Sequence, residues 1–236
     1  VELVLERLGI VIVAAGSGSR FGGRKQFARL AGRPLLGWSL AALDRLGPLG
    51  GRVVVLPAGA ENEPEWAECV AGLTEPVRVV AGGATRADSV RAGVSALGEA
   101  CAFVAVHDGA RPLVEPAWVL ACAACLEADA GLGAVIVARA ATDTLKQLDA
   151  SGVEIDRTLD RARVACAETP QVCRRAALLG ALADPAAGRF TDEAQALETN
   201  GWRTAVHLVD RPNPKVTHAS DLAIVEALIR ERESPG

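Results

Sequence analysis

Two hydrophobic patterns alternate along the chain. Short runs rich in Val, Ile and Ala occur at 10–13, 52–56, 77–80, 102–106 and 133–138. Such uninterrupted runs predict strands buried on both faces of a parallel sheet. Between them, residues 34–46, 63–71, 86–98 and 116–129 predict helices, the first with Leu35, Leu36, Leu40 and Leu43 at helical spacing. Gly47-Pro48 and Gly50-Gly51 stop that helix, and Pro64 opens the next near its first turn. Alternation of strand and helix predicts an α/β fold with right-handed crossovers. After a change of character at 139–164, residues 168–172 return to the core and 174–183 predict a helix. Thr191 is expected to cap a helix beginning near 192, and a strand at 204–209 precedes a final helix at 219–232.

The segment 139–164 is polar and charged, with two short alternating stretches around the turn Asp149-Ala150-Ser151-Gly152. This pattern predicts a β-hairpin that leaves the core. A two-stranded hairpin is marginal alone, so it calls for a partner surface, most simply a second copy of the chain. Neither repeats nor an interdomain linker interrupt the sequence. The expected organisation is one domain over 1–236 carrying an arm at about 140–164.

Composition narrows the function. Hydrophobic residues make up 50% of the chain and aromatic residues 3%, so aliphatic packing must carry the core. The net charge of −4 argues against a general nucleic-acid or membrane surface, and any cationic function must be local. No apolar run reaches the ~18 residues of a membrane span. The N-terminus shows no cationic segment ahead of a long apolar stretch, so a cytoplasmic protein is expected. Cys122-Ala-Ala-Cys125 is the one CxxC among 6 cysteines and lacks a second pair or nearby histidines, which favours buried, reduced thiols over a zinc site.

Two glycine-rich loops follow predicted strands. The first, Ala14-Ala15-Gly16-Ser17-Gly18-Ser19-Arg20, continues to Lys25-Gln26. Glycines let backbone amides approach an anion, and Arg20 and Lys25 supply charge, so this loop is suited to a nucleoside triphosphate. Its glycine spacing is too wide for a dinucleotide fingerprint, and Lys25 lacks the Ser or Thr that follows it in a Walker loop. The second loop carries Gly82 and Gly83 ahead of the helix that bears Ser89. Both loops lie at the C-terminal rim of the sheet, where open α/β folds bind ligands. Ser89 has two roles open to it, a hydrogen bond to a base or to its own backbone. The fourth strand ends in His107-Asp108-Gly109-Ala110-Arg111-Pro112. Asp108 suits a magnesium ligand beside a triphosphate, directly or through water, or the cap of a turn. His107 is expected to pack at the strand end.

Taken in order, these motifs resemble the 2-C-methyl-D-erythritol 4-phosphate cytidylyltransferase family. The likeness extends to Asp143-Thr144-x-Lys146, Thr169-Pro170-Gln171, Thr191-Asp192-Glu193-Ala194 and Asn213-x-Lys215-Val216-Thr217. It departs at Arg24, where the family usually has Pro, and at Ala84, where some relatives carry an acidic residue. No fused cyclodiphosphate synthase domain is expected. The resemblance implies a Rossmann-like nucleotidyltransferase fold and an enzyme that joins CMP from CTP to methylerythritol phosphate with Mg²⁺, releasing pyrophosphate. It also implies that Arg20, Lys25, Arg161 and Lys215 act in catalysis. CTP would be held by Ala14, Ala15, Gly16, Gly18, Gly82, Gly83, Ser89, Asp108, Gly109 and Ala110, with Asp108 near the metal. Arg111, Thr144, Arg161, Thr169, Thr191 and Lys215 would surround the alcohol phosphate. Thr144 and Arg161 would reach the site of the neighbouring subunit in a homodimer. Two alternatives stand beside this: a ribitol-5-phosphate cytidylyltransferase, and a non-catalytic nucleotide sensor.

Overall fold

The computed structural model describes residues 5–184 and 186–233. A seven-stranded sheet forms its centre, in the order β11-β7-β10-β6-β1-β4-β5. Here β1 is Leu8–Val13, β4 Gly51–Leu56, β5 Arg78–Ala81, β6 Phe103–Asp108, β7 Leu132–Ala140, β10 Ala165–Arg174 and β11 Arg203–Leu208. β1 pairs in parallel with both β4 and β6, and β4 with β5. The runs at 10–13, 52–56 and 102–106 therefore occupy the interior of the sheet, whereas the run at 77–80 forms β5 at its edge and is half-exposed instead of buried on both faces. β10 lies antiparallel between β6 and β7, which makes the sheet largely rather than wholly parallel. The register of β10 shifts between Ala167 and Gln171, so the strand bends where it passes the end of β6.

Helices cover both faces: α1 (Leu35–Asp44), α2 (Pro64–Val70), α3 (Arg86–Ser95), α4 (Pro116–Ala128), α5 (Arg175–Ala181), α6 (Glu193–Thr199) and α7 (Asp221–Glu233). Alternate side chains of the central strands feed two cores. Ile10, Ile12 and Phe103 face α1 and α4 residues such as Leu40 and Leu126, while Val11, Val55 and Val104 face Val90 and Leu178 on the other side. A third, smaller core joins Leu30, Leu35, Val216 and Val225, tying the C-terminal helix beneath the first loop. A short antiparallel pair, β2 (Arg29–Leu30) with β3 (Arg33–Pro34), precedes α1 and has no counterpart in the sequence reading. The predicted hairpin is present as β8 (Lys146–Leu148) paired antiparallel with β9 (Ile155–Thr158). Both its strands are exposed along their whole length.

Several expectations need correction. Asp192, not Thr191, caps α6: its carboxylate accepts from the Gln195 amide at 2.9 Å, and Thr191 instead donates to the Gln195 side chain. Asp192 is the residue immediately before the helix, the position from which a side-chain oxygen reaches the third helical amide, and Thr191 lies one residue too early. Of the cysteines, Cys69, Cys101, Cys122 and Cys173 are buried, but Cys125 and Cys166 are exposed. Cys125 falls on the outer face of α4 and Cys166 on the solvent-facing start of β10. All are free thiols. Among the described residues no helix is long and apolar enough to cross a membrane.

Candidate active site

The ends of β1, β5 and β6 open on one cleft of about 520 Å³. Its first wall is the loop after β1. The Ala14 amide donates to Val55 O at 2.8 Å, which anchors the loop's start to the neighbouring strand. Gly18 has φ +66°, and a Cβ there would lie 1.9 Å from Gly23 O. Only glycine permits that turn, which brings Lys25 back toward the sheet, its amide bonded to Gly23 O at 2.8 Å.

The second wall is the loop between β5 and α3. A Cβ on Gly82 would lie 2.3 Å from the Ala15 Cβ, so Gly82 is what lets the two loops touch. Thr85 and Asp88 form a capping box at the start of α3, a pairing absent from the sequence reading although the Thr-x-x-Asp spacing carried it. Ser89 is 4% exposed; its hydroxyl donates to Thr85 O and accepts from the Gly83 amide, each at 3.1 Å. Of its two open roles, the structure shows the backbone one, and this bond shapes the glycine loop.

The floor is the end of β6. His107 is fully buried, with Nδ1 on Thr169 Oγ1 and Nε2 on Arg111 O, each at 3.0 Å. Burial lowers its pKa to about 4 and keeps it neutral, in keeping with the packing role expected. The Asp108 amide donates to Thr169 Oγ1 at 3.1 Å, which fixes the strand end. The Asp108 carboxylate does not cap a turn: Oδ1 accepts from Arg86 Nη2 at 3.2 Å and Oδ2 from Lys215 Nζ at 2.7 Å. Burial alone would raise its pKa, but Arg86 and Lys215 outweigh that and hold the carboxyl well below the usual range.

Lys215 arrives on the segment after β11, and Asn213 places it. Fully buried Asn213 accepts from the Leu113 amide at 2.9 Å and donates to Thr169 O at 3.2 Å. Lys25 donates to Val216 O at 3.3 Å. Its pKa is lowered by burial and by the nearby charge of Lys215. Arg20 is exposed and has no carboxylate partner among the described residues.

Of the residues singled out in the sequence, Ala14, Ala15, Gly16, Gly18, Arg20, Lys25, Gly83, Ser89, Asp108, Gly109, Ala110 and Lys215 line this one cleft. Gly82 sits behind it against Ala15. Thr169 and Arg111 lie beneath it, Arg111 donating to Asn213 O at 2.7 Å. Thr191 is exposed beside α6. Thr144 and Arg161 lie on the arm, exposed and outside the cleft, with Arg161 donating to Thr142 O at 2.7 Å. Arg86, absent from the predicted site residues, lines the cleft, and so does Ala84. Arg24, the other departure, pairs with Glu63 on the outside of the loop.

Four cations, Arg20, Lys25, Arg86 and Lys215, thus face the cleft against one carboxylate, Asp108. The arrangement suits a polyphosphate and offers no activated nucleophile of its own, since His107 is buried and neutral. Among the described residues no three His, Cys, Asp or Glu side chains cluster as a metal site. A single carboxylate beside a glycine-rich loop with cations suits Mg²⁺, an ion that keeps waters and is commonly held by one or two carboxylates together with phosphate oxygens.

Comparison with known proteins places this geometry in a family. The model of the family IspD, 2-C-methyl-D-erythritol 4-phosphate cytidylyltransferase, matches residues 8–231. A bifunctional enzyme IspD/IspF from Anaeromyxobacter dehalogenans is 41% identical over 98% of this chain, which spans only 59% of that relative's length. A 2-C-methyl-D-erythritol 4-phosphate cytidylyltransferase from Prochlorococcus marinus is 38% identical over 94% of this chain and 98% of its own. The crystal structure of 4-diphosphocytidyl-2C-methyl-D-erythritol synthase from Anaerococcus prevotii superposes with a TM-score of 0.81 at 26% identity, covering 94% of this chain and 98% of its own.

Proposed function

The chain belongs to the 2-C-methyl-D-erythritol 4-phosphate cytidylyltransferase family, and on that premise we propose that it transfers CMP from CTP to methylerythritol phosphate. The observation that carries this reading is the cleft's pair of unneutralised cations, Arg20 and Lys25, facing an Asp108–Lys215 ion pair across the glycine loops. A phosphate monoester is already an anionic nucleophile near neutral pH, so the reaction needs no strong general base. Its barrier is electrostatic: two anions must meet while charge builds on the α-phosphate and on the leaving pyrophosphate.

Arg20 and Lys25 supply that charge from a loop whose glycines let backbone amides approach the phosphates. Burial first, and then the nearby charge of Lys215, lower the pKa of Lys25, so an incoming triphosphate meets a cation that no carboxylate pairs among the described residues. Backbone groups around Ala14, Ala15 and Gly83, with Ser89 rigidifying the second loop, present fixed donors and acceptors to the cytosine edge. Lys215 holds the acceptor phosphate for in-line attack. Asp108 would hold Mg²⁺, directly or through water, and the ion would neutralise triphosphate charge.

The arm completes the site in a homodimer. Thr144 and Arg161 are exposed and do not line the cleft of their own chain, and Leu148, Val153 and Ile155 are exposed on the arm at 47%, 80% and 60%. Apolar side chains that open to water on a marginal hairpin call for a covering surface, and a second copy supplies it. Arg111, Thr169 and Thr191 then belong to the acceptor side, Arg111 and Thr169 from beneath. A cytoplasmic location accords with the free thiols and the lack of a membrane-length apolar helix among the described residues.

The test is pyrophosphate release with CTP and Mg²⁺, comparing methylerythritol phosphate with ribitol 5-phosphate and CTP with ATP, GTP and UTP. Release confined to CTP and methylerythritol phosphate is expected. Preference for ribitol phosphate would overturn the acceptor, and CTP binding without release would make the protein a sensor.

A further inference from the structure

Behind the cleft, α6 sends a second carboxylate toward the same arginine. Glu193 is 1% exposed, and both its oxygens accept from Arg86, Nη2 to Oε2 at 3.1 Å and Nη1 to Oε1. Arg86 reaches from there to Asp108 Oδ1 at 3.2 Å, and the other Asp108 oxygen takes Lys215 at 2.7 Å. Four alternating charges therefore run from the protein interior to the cleft. Glu193 itself does not line the cleft.

We propose that Glu193 is a positioning residue for the nucleotidyl transfer, acting through Arg86 on the Asp108–Lys215 pair. The proposal rests on the reading that Asp108 and Lys215 take part in the transfer.

Stability does not account for such an arrangement. A buried ion pair loses about as much in desolvation as it gains in attraction, and apolar side chains of similar volume do as well or better. What the fourth charge does provide is direction. Burial pushes the Glu193 carboxyl up, and Arg86 is the cation that opposes this. Burial works against the Arg86 charge, while Glu193 and Asp108 together outweigh it and raise its pKa. With one edge of its guanidinium committed to Glu193, Arg86 stays on the cleft wall, 28% exposed, and is held against Asp108 instead of reaching further into the cleft. Arg86 thus orients a carboxylate, and Arg20 and Lys25 are left to meet the triphosphate.

This division gives the proposal a signature. In Glu193→Gln, Arg86 loses half of its charged anchor and is drawn to the triphosphate in the ground state. Asp108 and Lys215 then lose their fixed relation. The kcat for pyrophosphate release is expected to fall by about 10- to 100-fold, the scale of a misplaced catalytic group, while KM for CTP stays level or drops. In an Arg86→Gln background, adding Glu193→Gln is expected to change kcat by less than about twofold, because residues acting through one another are not additive.

A folded Glu193→Gln enzyme with wild-type kcat overturns the proposal, leaving the pair a structural one visible only in Tm. So does a KM for CTP that rises in step with the loss of kcat, or a double variant whose losses multiply. Should Glu193→Gln not fold, Arg86→Lys decides the matter, since a lysine cannot bridge both carboxylates: the same loss of kcat supports the relay, and unchanged kcat overturns it. Asp108→Asn separates the two readings. A fully active Asp108→Asn removes the role of Asp108 and the relay with it. An inactive Asp108→Asn beside an unaffected Glu193→Gln removes the relay alone.

Discussion

The cleft and the arm draw on the same kinds of side chain, charged groups and short polar ones, and put them to opposite use. In the arm, Lys146 bonds Thr158 at 2.7 Å and Arg157 bonds Gln147 at 3.0 Å, all in the open. Exposed contacts of this kind contribute little and reorganise readily. In the cleft, Asp108 is held between Arg86 and Lys215 under cover of the loops, where the lower dielectric strengthens each contact. The difference is burial, not charge count. In the proposed function, rigid placement of charge would serve the reacting phosphates, and an adaptable surface would serve the second copy.

That contrast can be broken from either side. The largest effect is expected from Lys25→Ala, which removes a cleft cation: turnover should fall by about 10²- to 10³-fold, far more than CTP affinity, read by pyrophosphate release and equilibrium CTP binding. Turnover near wild type would remove Lys25 from the catalytic set. Deleting 145–159 attacks the other region. The expected result is a folded monomer by sedimentation, with KM for the alcohol phosphate raised by about tenfold or more, on the scale of losing a charged contact. A deletion variant that stayed dimeric and active would refute the arm's assignment.

Smaller effects sharpen the comparison. Thr85→Ala removes the capping box beside the cleft and should cost about 1 kcal/mol, a fall of about 2–4 °C in Tm for a chain of this size. Least perturbing is thiol titration of the native protein. Cys125 and Cys166 should react at once, while Cys69 and Cys122, whose thiols burial pushes up to about 12, should react only on unfolding.

Much of this was legible in the chain. β-Branched runs mark strands because a strand buried on both faces has no polar side to show, and β1, β4 and β6 are such strands. The glycine loops were legible because Gly18 and Gly82 are demanded by local geometry that a few neighbouring residues set. Thr85 with Asp88 is equally local, a Thr-x-x-Asp spacing that by itself announces a capping box. Arg86 with Glu193 is different in kind. The two lie 107 positions apart and meet only because α3 and α6 pack around the same end of the sheet, so no spacing announces them. The exposure of Cys125 was hidden for a related reason: an alanine-rich helix such as α4 has no strong polar face to tell its outer side from its inner one. The antiparallel course of β10 also follows from tertiary context, as the strand returns from the arm and enters between β6 and β7.

The manner in which the arm leaves the sheet bears on how this fold can diversify. Ala140 and Ala165 are paired across β7 and β10, and the Ala141 amide bonds Val164 O at 3.2 Å just beyond them. Exit and re-entry are therefore stapled at a single gate. Whatever the chain does between those points changes loop closure by only about 0.6 kcal/mol for each doubling of its length. The gate therefore lets the arm change length at little entropic cost to the fold, while Thr169, a few residues inside it, holds the Asp108 amide in place.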